Sequence, residues 1–124
     1  MAFPASYNIS YYRGDTLEFR IYPKDANGSP FSLSGYANAK FWIQKVKGNA
    51  GYAERVECEA TISSDNSYVL CAITPTKGLT LIAGTTYVYD VEVSKTVPGS
   101  YNLVYTLLQG QVSVTDHVSG TVAP

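Results

Sequence analysis

Charge is scarce in this chain. Only 15% of its 124 residues are Asp, Glu, Lys or Arg, and the formal net charge is −1. A nucleic-acid binder meets phosphates with a basic patch or stripe, so no nucleic-acid partner is expected. No apolar run reaches the roughly 18 residues of a membrane-spanning helix, and residues 1–10 lack the basic and apolar regions of a signal peptide. No membrane partner is expected either, and the expected setting is a soluble protein made and assembled in a cytoplasm. Histidine is nearly missing: His117 stands beside Asp116, and no Ser or Cys is spaced to make them a catalytic set. Cys58 and Cys71 lack the clustered Cys and His spacing of a zinc site. Asp25 and Asn27 are not followed by acidic ligands at EF-hand spacing. Glu54, Glu57 and Glu59 cluster around Arg55, which reads as a solvated strand edge. No Gly-rich phosphate loop leads into a helix. No catalytic residue, cofactor or metal site is therefore expected; the chain reads as a binding or structural module and not as an enzyme.

What the chain does have is alternation. In Thr85 to Val93, Tyr87, Tyr89, Val91 and Val93 fall on one face while Thr86, Val88, Asp90 and Glu92 fall on the other. A period of two marks a half-buried strand, because successive side chains point to opposite faces of the pleat. β-branched and aromatic residues dominate the stretch, so propensity agrees with pattern. This is the expected central strand. Hydrophobic residues make up 45% of the chain, enough for one domain, residues 1–124, with a core of its own.

Other strands are expected on both sides. Residues 1–6 read as an extended arm carrying Met1 and Phe3, and Ser6 to Tyr12 as an edge strand with Tyr7, Ile9 and Tyr11 in phase. Arg13-Gly14-Asp15 spells an integrin-binding tripeptide, but the turn chemistry of Gly and Asp accounts for it. Thr16 to Tyr22 puts Leu17, Phe19 and Ile21 inward, and Pro23 stops it. Asn27-Gly28 is the strongest turn signal, after which Phe31 and Leu33 plug the end of the core. Ala37 to Val46 points Ala39, Phe41 and Ile43 one way and Lys40, Trp42 and Gln44 the other. Val56 to Ile62 and Ser67 to Ile73 form a hairpin about Ser63 to Asn66; a four-residue loop sets Cys58 directly opposite Cys71, where they could bridge only as a non-hydrogen-bonded pair and are otherwise expected as reduced core thiols. Pro75 to Gly84 is a crossover with one helical turn, burying Leu79, Leu81 and Ile82. Gly84 and then Tyr87 after such a crossover suggest a tyrosine corner, with the Tyr87 hydroxyl tied back to upstream backbone. Asn102 to Leu108 follows, Gly110 interrupts like a bulge, Gln111 to Thr115 closes the sheet, and residues 116–124 are a tail. About eight closely spaced strands without a long helix predict an all-β, immunoglobulin-like antiparallel β-sandwich, with a small barrel as the alternative.

Tyrosine is the outlier, 11 against 4 Phe and 1 Trp. Tyr suits strands, and it is also enriched at protein interfaces. The candidate interface residues are Met1, Phe3, Tyr7, Tyr11, Tyr12 and Trp42. The arm and the edge strand after it are expected to meet a neighbouring subunit by strand addition.

Two groups of segments carry a family likeness. The first is Tyr12-Arg-Gly-Asp-Thr-Leu-Glu-Phe, then Lys24-Asp-Ala-Asn-Gly-Ser-Pro-Phe-Ser-Leu-Ser-Gly-Tyr and Ala39-Lys-Phe-Trp-Ile. The second is Gly84-Thr-Thr-Tyr-Val-Tyr-Asp-Val-Glu-Val, then Tyr105-Thr-Leu-Leu-Gln-Gly-Gln-Val-Ser-Val-Thr. Together they resemble the immunoglobulin-like domains of tailed-phage virion proteins, especially the N-terminal domain of baseplate upper proteins and related tail and fibre-anchoring modules. The likeness covers most of Tyr12 to Thr115. It implies a virion location and a multi-copy or homo-oligomeric subunit whose partners are other phage virion proteins. It implies no catalytic residues. Read as a free-standing domain, without the helical or fibre domain of longer relatives, the chain is expected to be a tail or baseplate accessory subunit or, alternatively, a capsid decoration protein. A more distant alternative is a carbohydrate-binding module that stacks host glycans on exposed Tyr and Trp42.

Overall fold

The computed structural model describes residues 5–45, 55–99 and 101–116. They form eight strands and one helical turn: β1 (Ala5–Ser6), β2 (Ile9–Tyr12), β3 (Leu17–Ile21), β4 (Asn38–Gln44), β5 (Val56–Ile62), β6 (Val69–Ile73), α1 (Pro75–Gly78), β7 (Thr86–Lys95) and β8 (Leu103–Thr115). β7 is central, as its alternation predicts: Tyr87, Tyr89, Val91 and Val93 are all buried, and β4 and β8 flank it.

The strands run in the order β1-β8-β7-β4-β5-β6-β3, with β2 also on β8. β5 makes this one path fold into two layers. Its first residues, Val56 to Cys58, pair with β4, whereas Glu59 to Ile62 pair with β6. A strand that changes partner midway turns the sheet back over itself, which is how a sandwich corner is made. The result is an all-β, immunoglobulin-like sandwich. Phe41 on β4 joins the layers at their centre, edge-on to Phe19 of β3 at 5.4 Å and to Tyr89 of β7 at 5.6 Å. Edge-to-face pairs of this kind add about 0.5–1.5 kcal/mol beyond the area they bury. A second cluster of Phe31, Tyr36 and Tyr105 closes one end, and Leu33 beside it is fully buried.

Several expectations need correction. The sheet is mixed, because β1 and β2 run parallel to β8. Ala5 and Ser6, read above as the end of an extended arm that Ser6 joins to the edge strand, are β1. The edge strand is interrupted at Tyr7 and Asn8 yet keeps one register along β8, Ser6 facing Gln109 and Ile9 facing Val112, and its backbone lies close to Gly110: a Cβ there would lie 2.0 Å from the Tyr7 carbonyl oxygen. Gly110 is thus not a bulge, since it faces Tyr89 in register within an unbroken β8, but a position where the neighbouring N-terminal backbone leaves no room for a side chain. The bulge sits nearby, where β8 has an extra residue, Leu107, opposite the Val91/Glu92 step, so that Leu107 and Leu108 are both buried. In the β5–β6 hairpin Ala60 faces Cys71 and Ile62 faces Val69, two residues from the expected register. The loop is longer, closed by Ser63 N–H donating to the Tyr68 carbonyl at 2.9 Å, with Asn66 in the left-handed region at φ 62°. Asp65 holds it, its carboxylate accepting from both the Ser63 and Ser67 hydroxyls. A shift of two leaves every side chain on its predicted face but sets Cys58 opposite Phe41 instead of Cys71. In the crossover Leu81 is buried and Leu79 half-buried, but Ile82 is exposed.

Candidate interaction surface

Arg13, Gly14 and Asp15 make the predicted turn, with Gly14 at φ 90° and Asp15 N–H donating to the Tyr12 carbonyl. The Arg13 guanidinium is not offered outward. Its Nε donates to the Leu81 carbonyl and its Nη2 to the Leu79 carbonyl, both at 2.9 Å. A cleft of 440 Å³ beside it is lined by Leu79 to Ala83 and Asp116. The tripeptide therefore ties the N-terminal strand to the crossover after α1. Tyr11 completes the tie: it is 2% exposed, its hydroxyl donates to the Asp15 carbonyl at 2.7 Å, and burial raises its pKa. Gly78 of α1 has no room for a Cβ because that hydroxyl occupies the space. Tyr11 consequently leaves the set of interface residues. The expected tyrosine corner is present: the Tyr87 hydroxyl is tied to upstream backbone, accepting from the Ile82 N–H at 2.9 Å.

Trp42 lies on the outer face of β4, half-buried, under two cations. The Arg55 guanidinium sits 3.7 Å and the Lys40 ammonium 4.7 Å from its ring centroid. Arg55 also meets Glu57 at 3.5 Å, and the register places Glu57 and Asp90 on either side of Trp42. An indole covered by cations is held by cation–π attraction, not bared as a stacking platform.

Cys58 and Cys71 are free thiols, and burial pushes both up to about 12. At neutral pH each is protonated, which is the inert form. Asp25 caps its own turn, one carboxylate oxygen accepting from the Asn27 and Ser29 N–H groups. Among the described residues no His, Cys, Asp and Glu side chains gather as metal ligands. His117 lies outside the described residues, as do Met1 and Phe3.

What the surface does present is tyrosine. Tyr7, Tyr12, Tyr22 and Tyr101 are between 52% and 73% exposed. Tyr22 packs against Tyr68 at 5.3 Å, and Arg20 lies 4.8 Å over the Tyr68 ring, bonded also to Tyr22. Next to this group runs a cleft of 420 Å³ lined by Tyr7, Phe19, Arg20, Ile21, Tyr22 and Leu108. Tyr7 and Tyr12 were expected at a contact surface; the Arg20, Tyr22 and Tyr68 group was not. Its signal in the sequence was the alternation that turns Arg20 and Tyr22 to one outward face, but Tyr68 joins them only through the β3–β6 pairing.

No family model matches the sequence, and no curated protein matches it. Among solved structures it is similar to AggA, the major subunit of aggregative adherence fimbriae type I from Escherichia coli. That likeness is at 13% identity and a TM-score of 0.35, over 87% of this chain and 89% of that one. A likeness at that score says nothing of function, and the architecture stands on the chain's own strands.

Proposed function

We propose that this chain is a non-enzymatic structural subunit of a tailed-phage virion, an accessory or adaptor of the tail or baseplate that docks through protein–protein contacts. The observation that carries the reading is the set of exposed tyrosines, Tyr7, Tyr12, Tyr22 and Tyr101, on a framework that buries no polar or charged residue among those described. Tyr presents large contact area at small entropic cost, and it is one of the residue types in which interface energy concentrates. The sequence resemblance to phage immunoglobulin-like domains supplies the particle. Arg13 and Trp42, the residues best suited to adhesive or sugar-stacking alternatives, are engaged within the chain.

The test is incorporation. Tagged wild-type chain and the variants Tyr12→Ser, Tyr101→Ser and a deletion of residues 1–4 are expressed during particle assembly. Ala5 and Ser6 are retained because they pair with β8. Folded variants that are depleted from purified particles support the proposal. Variants incorporated as well as wild type, or a wild type that purifies with no particle, contradict it.

A further inference from the structure

Among the described residues, one edge of the sheet has no strand beside it. β3 ends the strand path, paired with β6 alone among the described residues. Its inward residues Leu17, Phe19 and Ile21 are only half-buried, although their partners Ile73, Cys71 and Val69 on β6 are completely buried. Edges are ordinarily blunted by shortness, proline, bulges, cover, or charge on either face, and among the described residues the only such device on β3 is its outward pair of opposite charges, Glu18 and Arg20. The opposite end of the sheet follows that rule, with the two-residue β1 and a break before β2. β3 has five residues, no proline, no bulge and no inward charge.

The sequence of this edge complements itself. Leu17-Glu18-Phe19-Arg20-Ile21, laid antiparallel on a second copy with Phe19 facing the partner's Phe19, sets Leu17 against the partner's Ile21. It also sets Glu18 against the partner's Arg20, and symmetry repeats both pairs. Sliding by two residues either way puts Glu18 against the partner's Glu18, or Arg20 against the partner's Arg20. Sliding by an odd number opposes inward to outward faces. One register satisfies charge and face together. Glu18 and Arg20 are exposed, and Arg20 is steadied on the outward face by Tyr22 and Tyr68.

We propose that β3 is a dimerisation edge: two copies of this chain pair antiparallel across a two-fold axis at Phe19, joining their β6–β3 layers into one continuous sheet. The partner's apolar face then covers the cleft lined by Phe19, Ile21, Tyr7 and Leu108. This rests on the reading of the chain as an assembly subunit and names its partner as a second copy.

The test is analytical ultracentrifugation of the full chain over a concentration series, with circular dichroism to check folding. Wild type is expected to show a monomer–dimer equilibrium. Glu18→Arg alone, or Arg20→Glu alone, creates two like-charge oppositions and should weaken it by more than about tenfold. An equimolar mixture of those two variants should form a heterodimer, and the double variant Glu18→Arg/Arg20→Glu should recover the homodimer. A wild type that stays monomeric, single variants that dimerise like wild type, or a double variant without recovery each overturns the proposal. Particle co-purification separates the two claims: a monomer that still joins particles overturns the edge pairing alone, and a dimer that joins none overturns the assembly reading alone.

Discussion

Gly110 shows how one residue can carry the path of a strand. The Tyr7 backbone is held over it from two sides: Tyr7 N–H donates to the Gln109 carbonyl at 2.9 Å, and the Tyr89 hydroxyl donates to the Tyr7 carbonyl at 2.6 Å. Gly110→Ala pushes a methyl group into that carbonyl. It should cost about 1–3 kcal/mol, the range of an overpacked site, read as a lower urea midpoint with increased amide exchange in Ile9 to Tyr12. The thiols give a pH prediction. Burial raises both from an ordinary value near 9 to about 12. The native state therefore keeps protons that the unfolded chain releases between those values. By linkage, the stability they contribute is fully present below about pH 9 and is lost as pH rises toward 12. Urea midpoints measured from pH 8 upward should fall more steeply for wild type than for a Cys58→Ala/Cys71→Ala variant; parallel curves would contradict this.

At the scale of elements, the tyrosine corner fixes where β7 begins relative to α1. Tyr87→Phe leaves the Ile82 N–H without its acceptor and should cost about 0.5–1.5 kcal/mol, seen as a lower thermal midpoint with unchanged far-ultraviolet circular dichroism. Much at this scale was legible in advance. The inward faces of β3, β4, β6 and β7 follow directly from period two, and the turns at Gly14 and Asn27-Gly28 follow from residues that tolerate their geometry. What the pattern could not reach was pairing. A shift of two residues in the β5–β6 register preserves every face, so alternation cannot detect it; the longer loop held by Asp65 and Asn66 decides it. The parallel pairing of β1 and β2 with β8 joins the two ends of the chain, and no local signal encodes such a contact. The candidate surface was half legible for the same reason. Tyr7 and Tyr12 could be picked by composition, Tyr11 could not be told from them until its hydroxyl was seen beside Asp15, and Trp42 was placed outward without its covering Arg55.

Taken whole, the molecule is a small sandwich with an uncharged core, a low net charge, and aromatic side chains turned to its surface. Self-repulsion between copies is weak at a net charge of −1, so the proposed packing of many copies into a virion would carry little electrostatic cost. Stacking a glycan on Trp42, by contrast, would call for a bare ring face, and cations lie over that ring. The same logic sets the expectation for Arg55→Ala, which uncovers the Trp42 indole. Its fluorescence should shift to the red and become more easily quenched by iodide, with no gain in particle incorporation. The measurement that bears most directly on the central claim is cryo-electron microscopy of the particle with which the chain purifies. Density matching this eight-strand sandwich is expected at the tail or baseplate, with exposed tyrosines at the contacts. Density for the sandwich repeated over the capsid shell, or a chain that purifies with no particle, would contradict it.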